Sequence, residues 1–152
     1  MSLRLPLALA LAPVLALSAI WDVRTGRIPD WISWPALGAL LLWRLLARGL
    51  WANGGLAEAA AGAAALAVAT VPLALWGKMG WGDVKLLAAV GAGFAWPLAL
   101  DALFAISLAG AVQAVLALAR RRGESNSTGI PYGVAIAAGS ALAGLTEVWL
   151  HG

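Results

Sequence analysis

The sequence contains no cysteine and a single histidine, His151, one residue from its end. Without cysteine there is no disulfide framework, no thiolate nucleophile and no thiolate-bound zinc. One histidine argues against a histidine metal site or a serine–histidine triad. Charge is scarce too: Asp, Glu, Lys and Arg supply 11% of the 152 residues, and the net charge is +3. The basic residues stand singly except for the run at 120–122. They read as topology signals rather than as a nucleic-acid surface, and no nucleic-acid partner is expected.

What the chain has in abundance is apolar surface. Hydrophobic residues make up 62% of it and the mean hydropathy is +0.89, against about 45–50% apolar residues in ordinary globular domains. That composition implies an integral membrane protein, with membrane lipids as its surroundings. No hydrophilic block is long enough to fold beside the apolar part, so residues 1–152 are expected to form one membrane-embedded domain.

Apolar runs are expected at Leu5–Trp21, Trp31–Leu46, Leu56–Trp76, Val84–Trp96, Leu98–Ala119 and Ile130–Leu150. The fold class that follows is all-α, a polytopic membrane protein with about six transmembrane helices. The first run is short enough to be a signal peptide, with Leu17-Ser18-Ala19 as a cleavage site. Arg24 and Arg27 follow it, however, which is the wrong flank for a cleaved signal and places the N-terminus outside. Pro29 can open the second run, which Arg44 and Arg48 close, and residues 51–55 read as a turn. Glu58 is expected at the membrane interface.

Residues 84–119 are too long for one crossing of a hydrocarbon core about 30 Å thick, so a reversal is expected at Trp96-Pro97 and Asp101. The helix before that reversal is short and led by glycines. Irregular backbone is therefore expected within the membrane, which protein or trapped water must cover. Six segments put seven basic residues, at 24, 27, 78, 85 and 120–122, on one side and three, at 4, 44 and 48, on the other. The positive-inside rule places the first group, and with it Asp22 and Asp83, at the cytoplasmic face of the inner membrane. Most of the nine tryptophans fall at segment ends, as an aromatic belt requires.

Two carboxylates carry the chemical interest. Asp83 stands in Gly80-Trp81-Gly82-Asp83, at the mouth of an apolar segment. There a carboxylate is either functional or an N-terminal helix cap, a role Asp fills well. Asp22 lies in the first polar connection, where it is either a second functional carboxylate or half of a surface pair with Arg24 or Arg27. Brought together in a poorly solvated site, two carboxylates titrate as a coupled pair. The ionised member can take a proton from water while the neutral one donates to a carbonyl, without a metal or other cofactor.

Three blocks give the chain a resemblance to the prepilin peptidase family of membrane aspartic proteases, in its short form. They are Asp22 with Ile28-Pro29, Gly80-Trp81-Gly82-Asp83 with Lys85-Leu86, and Pro131-Tyr132-Gly133 opening the last segment. Their order along six segments resembles the family as well. The resemblance implies that Asp22 and Asp83 are the catalytic pair and that they cleave the leader from type IV pilin-like precursors after a glycine. Gly80 and Gly82 would shape the backbone, and Pro131, Tyr132 and Gly133 would line or support the site. Lys85 would be an electrostatic neighbour or a side chain reaching for the headgroups. Pilus assembly or secretion machinery is a further partner the resemblance leaves room for.

Asp30 stands where the family usually has Asn, and is expected to act as a helix cap. Nothing corresponds to the cysteine-bearing insert of the long forms, so methylation of the new N-terminus is not expected. The residues alone leave two other classes open: a small proton-coupled transporter or channel using Asp22 and Asp83, and a structural membrane subunit.

Overall fold

The computed structural model describes residues 4–26, 28–120 and 132–151. Among these every regular element is an α-helix: α1 (Arg4–Thr25), α2 (Asp30–Arg48), α3 (Leu56–Leu75), α4 (Trp81–Phe94), α5 (Leu98–Arg120) and α6 (Tyr132–His151). Leu and Ala, both strong helix formers, dominate all six. Pro29 in extended conformation precedes α2, and positive φ at Gly26 (65°) and Gly49 (78°) marks the residues just past α1 and α2. The Leu56–Leu75 and Leu98–Ala119 segments are long and apolar enough to cross a membrane.

The helices sort into two groups by packing. α4 lies chiefly against α3 and α2, and α6 chiefly against α5 and α1, with thinner contact between the groups. α4 is the centre of the molecule: a continuous run of buried residues, Leu86–Gly93, leaves it no outward face. A helix apolar on all sides belongs in such a position. It crosses α3 at Gly62 and Gly91, each of which brings its backbone against the other's carbonyl, so a side chain at either would collide with main chain. α5 is the reverse case, with Phe104, Leu108, Val112 and Val115 exposed along it, as lipid contact demands.

Several expectations change. α1 continues to Thr25, so Asp22 is on the last helical turn rather than in a loop. Its carbonyl accepts the Gly26 N–H at 2.7 Å, and the helix stops there because Gly26 adopts a left-handed conformation. Asp101 sits in the first turn of α5; the reversal is confined to Ala95, Trp96 and Pro97. Glu58 is half-buried, and its carboxylate accepts the Gly54 N–H at 2.7 Å.

Arg44 does not flank a segment. It is buried, and its guanidinium donates to the carbonyls of Gly54 and Gly93, joining the α2–α3 turn to the end of α4. The run at 120–122 lies, from Arg121 onward, outside the described residues, as does Arg27.

Candidate active site

Asp22 and Asp83 reach the site from different helix groups. Asp22, on the last turn of α1, is 5% exposed, and Asp83, on the first turn of α4, is 8% exposed. They are near enough for the charge of Asp22 to act on Asp83. Arg24 points outward and is exposed while Asp22 turns inward, so the surface-pair alternative with Arg24 does not describe its position.

The third helix at the site is α6. The Gly133 N–H, in its first turn, donates to Asp22 Oδ2 at 2.7 Å. A Cβ on Gly133 would stand 2.9 Å from both Cβ and Oδ2 of Asp22, so only glycine lets α6 bring its amide this close. Tyr132 beside it is partly exposed, and Pro131 lies outside the described residues.

Around Asp83 the glycines divide their work. Its Oδ2 accepts the Gly80 N–H at 3.2 Å, which is the capping contact, so Asp83 caps α4 while facing the second carboxylate. The capping role is thus met without turning the carboxylate away from Asp22. Gly80 has an ordinary extended conformation (φ −72°, ψ 146°), and a Cβ there would stand 3.2 Å from Asp83 Oδ2. Gly82 makes room for another strand of backbone: a Cβ would lie 2.5 Å from the Ile28 carbonyl oxygen. Ile28 is 6% exposed, which ties the connection after α1 to the start of α4.

Lys85 and Asp30 correct the sequence reading together. Lys85 Nζ pairs with Asp30 Oδ1 at 2.7 Å and lies 5.7 Å from the centroid of the Trp34 ring. Asp30 therefore receives a cation from α4 instead of capping α2, whose N-terminal cap is Pro29 without a side-chain bond. Lys85 is turned to α2, neither to the carboxylate pair nor freely to solvent. Trp21 and Trp31 close the same end of the molecule in an edge-to-face contact, centroids 5.7 Å apart.

Sequence reasoning names Ser18 only within a signal-cleavage site and passes over Ser33; both are fully buried, and among the described residues their hydroxyls have no hydrogen-bond partner. Ser18 precedes Asp22 by one helical turn and so shares its face, a spacing that could have flagged it. Among the described residues no group of three or more His, Asp and Glu side chains could hold a metal ion.

The type IV leader peptidase family profile matches residues 9–115, which include both carboxylates. A prepilin leader peptidase/N-methyltransferase of Burkholderia pseudomallei (strain 1026b) is 33% identical over 138 residues, covering 86% of this chain and 42% of that protein. The leader peptidase HopD of Escherichia coli is 28% identical over 158 residues, covering 95% of each. The chain thus spans about two fifths of the length of the Burkholderia relative and nearly all of HopD. No solved structure matches it. On the strength of the profile match across the two carboxylate-bearing helices, the chain is a membrane protein that belongs to the type IV leader peptidase family.

Proposed function

We propose that the chain is one membrane-embedded peptidase domain. In this reading it removes the cytoplasmic leader from type IV pilin-like precursors by hydrolysis after a glycine. One observation carries the proposal: two carboxylates, each almost completely buried, converge from the adjoining ends of α1 and α4.

The proposed chemistry starts from the form in which the pair holds a single proton. The ionised member accepts a proton from water as that water attacks the scissile carbonyl. The protonated member donates to the carbonyl oxygen, and the roles reverse as the amine leaves. The Gly133 amide stabilises negative charge on Asp22, and the Gly80 amide does the same for Asp83.

A precursor of this type has a basic leader in the cytoplasm and an apolar helix in the membrane. Its scissile bond is at the boundary, and a helix shields its own carbonyls, so the bond must be held extended. Carboxylates at the inner edge of the inner membrane, reached through a glycine-rich opening, meet that requirement. Arg24, Lys78 and Lys85 at that end of the helices support the cytoplasmic orientation.

The test is co-expression with a pilin-type precursor, following leader loss by gel shift and the product's N-terminus by mass spectrometry. Asp22→Asn and Asp83→Asn should each lower cleavage by about 10²- to 10⁴-fold or more, the scale of general acid–base catalysis. Membrane levels must match wild type. Intact precursors with well-folded wild type, or full activity in either variant, would sink the proposal, and ion flux in proteoliposomes would be measured next.

A further inference from the structure

The carboxylates occupy one end of the helices, and a concavity occupies the other. A cavity of about 900 Å³ opens between α1, α2, α6 and the α4–α5 turn. Its depth is apolar, with Leu11 and Leu15 of α1 on one side. Its rim is charged: Arg44, Arg48 and Glu58 border it, together with Trp43 and Trp96.

Two guanidiniums against one carboxylate leave a positive surplus, and that carboxylate is already engaged by the Gly54 amide. Arg44 is committed to the Gly54 and Gly93 carbonyls. Arg48 is exposed and donates through Nη1 to the Asn53 carbonyl at 3.1 Å, leaving further N–H groups of its fork to meet an anion. Trp43 and Trp96 are both partly exposed, as side chains at headgroup level are.

We propose that this cavity binds one anionic glycerophospholipid, its phosphate at Arg48 and its acyl chain along Leu11 and Leu15. The volume lies within the range of about 300–1,000 Å³ typical of ligand sites. The cationic rim selects the headgroup charge, and the apolar depth demands a tail. The apolar helix of a precursor would need a groove continuous with the carboxylates. The lining stops at Ala16 on α1 and begins at Gly93 on α4, and reaches neither Asp22 nor Asp83.

The test uses the purified full chain in detergent, incubated with mixed micelles of equal phosphatidylglycerol and phosphatidylcholine and examined by native mass spectrometry. Wild type should retain one phosphatidylglycerol in preference to phosphatidylcholine. Arg48→Gln should weaken phosphatidylglycerol retention about fivefold, the effect of one cation at a lipid surface. Gly144 lines the cavity and a Cβ there meets nothing within 4 Å, so Gly144→Phe should put an aromatic ring into the space and weaken retention of both lipids.

Equal retention of the two lipids by wild type would overturn the proposal, as would undiminished retention in folded Gly144→Phe. Arg48 is exposed, so Arg48→Gln is read even if the filled variant does not fold, and an unchanged lipid preference in it is also fatal. A raised KM for precursor in Gly144→Phe with lipid retention intact would assign the cavity to the substrate helix instead. Lipid retention is read without peptidase turnover, so the outcome stands apart from that of the cleavage assay.

Discussion

Gly133 gives Asp22 two things at once: an amide to bind and the absence of a side chain in the space beside it. With a Cβ only 2.9 Å from the carboxylate, Gly133→Ala must push either α6 or Asp22 aside. Overpacking of this kind costs about 1–3 kcal/mol. The expected outcome is cleavage reduced by at least about tenfold, the equivalent of about 1.4 kcal/mol, with the protein still inserted. The kinetic assay with matched membrane levels checks it. A similar logic governs Gly82 against the Ile28 carbonyl, which explains why Ile28-Pro29 and Gly80-Trp81-Gly82-Asp83 belong together. Asp83 is legible as a candidate because a carboxylate at the mouth of an apolar segment is costly, whereas Asp22, in a polar connection, is weighed against a surface pair until the family resemblance singles it out. That Asp30 serves Lys85 was not legible. Their pairing joins positions 55 apart, and it depends on the register of α2 against α4, which neither local sequence records.

α4 is set by contacts on all its sides, and α3 meets it backbone to backbone at Gly62 and Gly91. Gly91→Val should therefore force these two helices apart and destabilise the fold by about 1–3 kcal/mol or more. Gly38 in α2 has nothing within 4 Å of a Cβ, and Gly38→Ala should be neutral or stabilising by about 0.5–1 kcal/mol. Thermal unfolding in detergent, followed by circular dichroism, compares the two. Arg44 is the second fixing point of α4. Arg44→Met would strip the part-buried Gly54 carbonyl and the buried Gly93 carbonyl of their donor, at about 1–3 kcal/mol for the buried group left unsatisfied. Loss of folded protein at an unchanged membrane insertion level is the expected result. The limits of α2, α3 and α5 can be read closely from hydropathy, whereas α1 runs on to Thr25 and α4 begins at Trp81, because their polar end turns carry no apolar signal. The burial of Arg44 cannot be read in that way. Hydropathy sees a cation at the end of a run, and only the turn at residues 49–55 folding back over it makes that end an interior.

At the scale of the whole molecule, the membrane sets the frame and the two helix groups divide it. α5 turns Phe104, Leu108 and Val115 outward, whereas α4, about 21 Å long at 1.5 Å per residue, is shorter than a hydrocarbon core of about 30 Å and is sheltered by its neighbours. The carboxylates do not share a group: Asp22 rides with α1 and α6, Asp83 with α4, α2 and α3. Their separation is thus a mechanical coordinate of the seam, and a slip there would detune the pair while each group kept its own interior intact. Heat should consequently silence the protein before it melts it, with an inactivation temperature below the midpoint for loss of helix. Coincident midpoints for residual activity and ellipticity would count against such a slip. If the midpoints separate, an agent that clamps the two groups together should raise the lower temperature and leave the upper one where it was.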